Sequence, residues 1–507
     1  MAKSLGRSSL LFAALTLVSR VLGLLRDILI ARHFDSAITD AFFASLRIPN
    51  TLRRFFAEGS FTNAFVPVFS EVKRQRPEEL AELLQRVCGT LLAVLLLITG
   101  LGIVGSATLL AWVAGGLPPA QAALAAEMLP IMFPYILLIS LTALASAVLN
   151  SHDQFGIPAL TPTLLNLTLI GACWWHRPEN HGLELAWAVL LGGVLQLALQ
   201  LPSLKRLGLL RRPRWGGSYP AVRKIFRLML PTLFGSSVGQ LTVLVNTALA
   251  SGLVTGSISW LYYADRLVEL PVSLIGVAVG VVILPRLSHL RAGQEPERFH
   301  RTLAWALRWG LLLGSAAALG LVLLAEPLLA TLFLRGQFDV HDVQMSAAAL
   351  QIYGPGALFL ILVKILTPAF YARQDTKTPV QAGLVSMGLN IALAFPLCRH
   401  YGHVGLAAAT TVASISNVAL LAWWLGRRQP ESGAAPLLTK RFLLQVLLAN
   451  GLLALLLLVS RGQLADWLAL SGWGRLGRLL EAVALGLGVY LLALWTLGLR
   501  PAALRPE

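Results

Sequence analysis

Charge is scarce in this chain. Charged residues make up 13% of its 507 positions, about half the ~25% usual for a soluble domain. Cysteine is scarcer still. Cys88, Cys173 and Cys398 are the only three, each in an apolar stretch, and no CxxC spacing occurs, so neither a disulfide framework nor a metal site is suggested. The loops are short, and none carries the acidic metal-binding pair or phosphatase motif that an integral-membrane glycosyltransferase or phosphatase needs beside a large soluble loop. Short strands of alternating polar and apolar residues are missing as well, which excludes a β-barrel.

What is present is apolar sequence in long runs. Hydrophobic residues reach 56% and mean hydropathy is +0.71. Runs of 18 or more apolar residues recur throughout, the mark of an all-α polytopic membrane protein. The pattern predicts about fourteen transmembrane helices, near 8–31, 40–70, 87–113, 124–150, 157–176, 184–203, 222–252, 257–287, 301–324, 344–371, 379–398, 403–425, 439–460 and 477–498. The basic start and apolar run at the N-terminus read as a retained first span, because no small-x-small cleavage site precedes a polar chain. The net charge of +17 would suggest nucleic acid in a soluble protein. Here most Lys and Arg lie in short loops after the second, sixth, eighth and twelfth spans, so the even loops and both termini are expected in the cytoplasm.

The chain also repeats itself. "AFVPVFSEV" (64–72) resembles "VILPRLSHL" (282–290), and "NSHDQFGIPALTPTLLNLTLI" (150–170) resembles "ARQDTKTPVQAGLVSMGLNIAL" (372–393). The offsets, 218 and 221 residues, agree. They imply two pseudo-symmetric six-helix lobes, 1–215 and 216–430, with an extra C-terminal helix pair in 431–507. An even number of spans per half makes the repeat parallel, an arrangement found in transporters whose substrate site lies between the halves. Pro49, Pro67, Pro134, Pro231, Pro271 and Pro285 are expected to break or bend spans, which alternating access can use.

Against this apolar background a few charges stand out. Arg20, Arg26 and Asp27 interrupt the first span, Arg53, Arg54 and Glu58 the second, and Asp265, Arg266 and Glu269 the eighth. A charge at the bilayer centre costs about 2.5–3.5 kcal/mol on insertion scales, and such residues usually line a watery cavity. Arg32, Arg47 and Arg286 lie near span ends, where snorkelling suffices. Arginine's planar fork matches phosphate oxygens and never deprotonates, so a guanidinium cluster suggests a phosphate or pyrophosphate. Asp27, Asp40, Glu58 and Glu269 either hold the arginines in place or serve as coupling sites. In "RQDTKTP" (373–379), Arg373 and Asp375 read first as a structural turn and second as a gate contact.

The motifs "SRVLGLLRD" (19–27), "TDAFFASLRIPNTLRRFFAEGSFTNAFVPVFSE" (39–71), "FPYILLISLTALASAVLN" (133–150), "WLYYADRLVELP" (260–271) and "FYARQDTKTPV" (370–380) resemble those of the MurJ (MviN) family. These are lipid II flippases of the multidrug/oligosaccharidyl-lipid/polysaccharide exporter superfamily. The resemblance runs from the first span to the last. It implies fourteen helices, two six-helix lobes around a cationic central cavity, and a lipid-tail groove on the last two helices. It further implies transport of the undecaprenyl-pyrophosphate-linked peptidoglycan precursor from the cytoplasmic to the outer leaflet of the bacterial inner membrane. The family's cavity arginines fall on Arg20, Arg26, Arg53 and Arg266, and its acidic partners on Asp27, Asp40, Glu58 and Glu269, with Asp265 beside them. No cofactor and no metal are implied; the membrane potential is the expected drive, with the coupling ion left open. Lipid II and membrane lipids are the expected partners, with proteins of cell-wall synthesis beside them, and nucleic acid is not. Two transport alternatives stand: a flippase for another polyprenyl-linked saccharide, and a cation-coupled multidrug antiporter, whose cavity would be apolar and acidic.

Overall fold

The computed structural model describes residues 2–56, 60–427 and 437–499. Among them every regular element is a helix. The first ten α-helices are α1 (Ala2–His33), α2 (Ser36–Phe56), α3 (Ser60–Gln75), α4 (Leu80–Val104), α5 (Ser106–Ala114), α6 (Pro119–Met132), α7 (Tyr135–Asn150), α8 (Gly156–Trp174), α9 (Leu183–Arg206) and α10 (Pro220–Ser251). The rest are α11 (Ser257–Pro271), α12 (Ala278–Ala292), α13 (Pro296–Leu323), α14 (Ala325–Leu332), α15 (Val340–Tyr371), α16 (Lys377–Arg427), α17 (Lys440–Arg461), α18 (Leu464–Leu468) and α19 (Gly472–Thr496). The fold is that of a multi-pass membrane protein. Ten stretches of the described residues are long and apolar enough to cross a membrane. One of them, α16, holds 51 residues, about 77 Å at 1.5 Å per residue, more than twice a hydrocarbon core. It reverses at Gly402, whose φ of +58° is open to glycine, and so contains the two spans expected at 379–398 and 403–425.

Packing divides the chain into two compact units after Ile258. The first takes in α10, which the sequence repeat groups with the second half: kinship sets the boundary near 215, contacts set it at 258. In the first unit α1 lies on α8, α8 and α7 on α9, and α10 on α2, α3 and α5. Phe61, Phe65 and Phe69 stack along α3 at 5.4 and 5.2 Å. At the far end of α10, Gly116 meets Gly252 so closely that a Cβ on Gly116 would sit 2.5 Å from the Gly252 Cα. In the second unit α15 packs on α13 and α16, and α17 on α19 and α13.

Local chemistry sets several helix ends. Asp339 and Asp342 form a reciprocal capping box at the start of α15. Thr439 and Ser471 cap α17 and α19. The prolines behave unevenly. Pro134 separates α6 from α7, and Pro271 is followed by a π-helical turn, Val272–Val277; a ring with no N–H forces the hydrogen-bond ladder to reset there. Pro49, Pro67 and Pro285 instead sit inside continuous helices, so they interrupt none. The side chain of Pro231 lies outside the described residues.

The repeat has a structural counterpart in the turns before α8 and α16. Asp153 and Gln374, 221 residues apart, both take positive φ, +59° and +58°. Around them the same bonds recur: the N–H of Gln154 donates to the Leu149 carbonyl, and the N–H of Asp375 to the Phe370 carbonyl, both at 3.0 Å.

Candidate functional site

On α1, Asp27 is fully buried and Arg26 is 14% exposed. Arg26 donates to Asp27 Oδ1 through Nε at 2.9 Å and Nη2 at 2.6 Å, and through Nη1 to Asn166 Oδ1 on α8 at 3.0 Å. Asn166 Nδ2 in turn donates to the Ser19 carbonyl at 3.0 Å. Two charges taken out of water are tolerable only when paired and hydrogen-bonded, and this network supplies both while tying α1 to α8. Arg20, almost two turns earlier on α1, is half-buried.

On α2, Arg53 is half-buried and Arg54 exposed; Arg54 Nη1 donates to Gln240 Oε1 of α10 at 3.4 Å. The expected partner Glu58 lies outside the described residues. Asp40 is only 2% exposed, and its Oδ2 accepts the Gly256 N–H at 2.6 Å. Gly256 has φ +98°, a conformation open to glycine, so this carboxylate anchors a glycine turn. That is a structural task, beside the partner or coupling role expected for Asp40.

The second unit carries the other predicted cluster. On α11, Trp260, Tyr263, Ala264, Leu267 and Val268 are buried, while Asp265 and Glu269 are exposed. Arg266, 24% exposed, donates through Nη1 to Glu269 Oε2 at 3.0 Å. The structure thus brings together Arg26 with Asp27 in one unit, and Arg266 with Glu269 in the other. At the start of α16, Asp375 accepts the Thr378 N–H at 3.0 Å and the Thr378 hydroxyl at 2.6 Å, a helix cap. Arg373 lies 4.9 Å over the Phe299 ring. The structural reading of this turn is therefore the one the contacts favour.

A groove of about 570 Å³ runs between α13, α17 and α19. Its walls are apolar, with Leu313, Ala317, Leu453, Leu457, Gly486 and Leu487 among them. Its tyrosine, Tyr490, turns its hydroxyl to the Leu312 carbonyl at 2.9 Å, which leaves an oily surface fit for a hydrocarbon chain. The groove's residues are not assigned from sequence, because the C-terminal helix pair is marked by hydropathy more than by motif. Asn166 also escaped the sequence reading; its signal is a lone amide inside "TLLNLTLI". Among the described residues no cluster of metal-ligating side chains occurs.

Comparison with known proteins extends these observations. The family model for lipid II flippase MurJ matches residues 30–470. The chain is 41% identical to the probable lipid II flippase MurJ of Vibrio cholerae over 98% of its own length and 97% of that protein's. It is 42% identical to the lipid II flippase MurJ of Burkholderia cenocepacia, over 85% and 86% of the two chains. Its structure is similar to that of a lipid II flippase MurJ in an inward closed conformation, with a TM-score of 0.81, 27% identity and coverage of 96% and 98%. An inward-facing multidrug-resistance transporter of the MATE family aligns at TM-score 0.67 and 13% identity, over 83% and 99% of the two chains, a likeness of fold alone. With a family model spanning most of its length and relatives this similar end to end, the chain belongs to the MurJ family of lipid II flippases, membrane transporters rather than enzymes.

Proposed function

We propose that this flippase moves the undecaprenyl-pyrophosphate-linked peptidoglycan precursor from the cytoplasmic to the outer leaflet of the inner membrane by alternating access, with both termini in the cytoplasm. Arg20, Arg26, Arg53 and Arg266 hold the pyrophosphate, through the fork geometry that guanidinium and phosphate share. Asp27 orients Arg26. Glu269 is the exchangeable counter-ion of Arg266: half-exposed at 54%, it gives up the guanidinium to substrate at little cost. The polyprenyl tail stays in the apolar groove of α13, α17 and α19 while the sugar-peptide head crosses. Net charge moving through the field couples the cycle to the membrane potential, at about 2.3 kcal/mol per charge per 100 mV. Proteins of cell-wall synthesis receive the product at the outer face.

The observation that carries this reading is the Arg266–Glu269 pair on the polar face of an otherwise buried helix. The test is exposure of lipid II at the outer face of cells whose own flippase is switched off. Cells carrying the wild-type chain regain exposure. Those carrying Arg266→Ala at equal membrane levels do not. Normal exposure with Arg266→Ala removes the arginine from the mechanism. A well-inserted wild type that restores nothing points to another polyprenyl-linked saccharide as cargo.

A further inference from the structure

α11 must present Arg266 and Glu269 on one side and bury the other. Apolar burial alone defines that rotation loosely. The helix carries adjacent tyrosines, Tyr262 and Tyr263, and exchanging one for the other in the buried position turns the helix by roughly 100°. That turn would carry Arg266 off its face with little change in buried apolar area. A directional bond is needed to choose, and one is present. Trp260 Nε1 donates to Asp342 Oδ1 at 2.6 Å, with the two residues only 2% and 7% exposed.

Asp342 is itself held. Its Oδ2 accepts the Asp339 N–H at 3.1 Å, and its own N–H donates to Asp339 Oδ1 at 2.9 Å. The indole ring is flanked by His341 at 5.5 Å and His403 at 5.1 Å, and His403 Nε2 lies 3.0 Å from the Met345 carbonyl. Three helices, α11, α15 and α16, thus close on a single indole. Tyr263, packed against Phe333 and Phe338 at 5.0 and 5.4 Å, supports the same rotation one turn further on.

We propose that the Trp260–Asp342 hydrogen bond fixes the rotation of α11, and that Trp260 and Asp342 are positioning residues for lipid II binding through Arg266. This rests on the reading of Arg266 given above. Neither residue touches substrate in this account; the bond acts by deciding where the guanidinium points.

The test uses the full chain with Cys88, Cys173 and Cys398 replaced by serine. Single substitutions Tyr262→Cys, Tyr263→Cys, Asp265→Cys and Glu269→Cys report, by maleimide labelling in membranes, which face of α11 is open. Trp260→Phe, which deletes the N–H and keeps most of the ring volume, is expected to raise labelling at 263 several-fold and to lower it at 269. In the parent without cysteine probes, Trp260→Phe should weaken binding of fluorescent lipid II several-fold. Asp339→Ala removes the cap and keeps the indole bond, so it should lower the melting temperature and leave both labelling and affinity as in wild type. If Trp260→Phe does not accumulate, Asp342→Ala read against Asp339→Ala separates the bond from the cap. An unchanged labelling pattern in the bond-deleting variant overturns the proposal. A shifted pattern with unchanged affinity overturns the positioning role, and Arg266→Ala in the same binding assay then tells whether the reading of Arg266 fails with it.

Discussion

Two arginine–carboxylate pairs, one in each compact unit, use the same chemistry for different ends. Arg26 and Asp27 sit next to each other on α1, nearly or wholly out of water, with Asn166 closing the network. Arg266 and Glu269 sit one turn apart on α11, and the carboxylate is half-exposed. A buried pair is costly to open, because removing one partner strands the other in a medium that cannot solvate it. An exposed pair is worth about 0–1 kcal/mol and re-forms readily. The first pair is therefore costly to open and the second cheap to exchange. A cluster of like residues in a sequence says nothing of this division, which is set by what surrounds each pair.

The comparison can be broken hardest at α1. Arg26→Ala removes the guanidinium bonded to buried Asp27, which should cost up to about 3–5 kcal/mol and show as a fall in melting temperature in detergent. The double variant Arg26→Ala/Asp27→Asn should recover most of that loss while outer-face lipid II exposure stays absent. If the double variant flips normally, Arg26 is structural only. At α11 the same truncation should act in the opposite proportion. Arg266→Ala should change stability by no more than about 1 kcal/mol and still abolish flipping. Equal destabilisation at the two sites would end the contrast.

Smaller effects sharpen it further. Gly486 lines the groove, and a Cβ there would meet Leu453 and Leu457 at 3.1 and 3.3 Å. Gly486→Leu narrows the groove that is proposed to take the polyprenyl tail. At about 0.8 kcal/mol per displaced methylene, it should weaken binding of a polyprenyl lipid roughly tenfold and leave a short-tailed, water-soluble analogue unaffected. Asp375→Ala removes the cap on α16 and should cost about 0.5–2 kcal/mol in a melting assay, with flipping reduced only as far as protein level falls. The smallest effect belongs to Glu71 and Lys224, an exposed pair at 2.7 Å joining α3 to α10. Lys224 holds the Glu71 carboxyl below its ordinary value, first by hydrogen bond and then by charge. A carboxyl lowered in the folded state binds fewer protons there than in the unfolded chain. Its contribution is thus present above the ordinary value of 4.5 and is lost as pH falls from there through the lowered folded value. Spin labels at Gln75→Cys and Ala221→Cys should give a single distance at neutral pH that broadens on acidification, and Glu71→Gln should broaden it at every pH.

Much of this was legible in the chain. The helical class follows from apolar runs longer than any strand. The two reversals before α8 and α16 follow from a repeat whose turns take the same φ at Asp153 and Gln374. The arginines announced themselves as charges without a reason to be in lipid. What stayed hidden depended on partners distant in sequence. Asp40 reads as an arginine partner or a coupling site, and its bond to Gly256, 216 residues away, is a structural task that no motif announces. Asn166 matters only because Arg26 reaches it across 140 residues. Pro67 and Pro285 read as breaks or bends, and both sit within unbroken helices, since the effect of one missing N–H depends on what neighbours supply.

The wall of the apolar groove has a consequence for selectivity. Dispersion and burial against Leu453, Leu457 and Leu487 grow smoothly with the length of chain laid down, and the Tyr490 hydroxyl is already committed to the protein's own backbone. Such a surface is almost wholly apolar along its length. It can hold an isoprenoid but cannot count its units, so lipids differing by one or two isoprenes should pass with nearly equal ease. Under the proposed function, discrimination then falls to the polar end of the molecule, at the arginines.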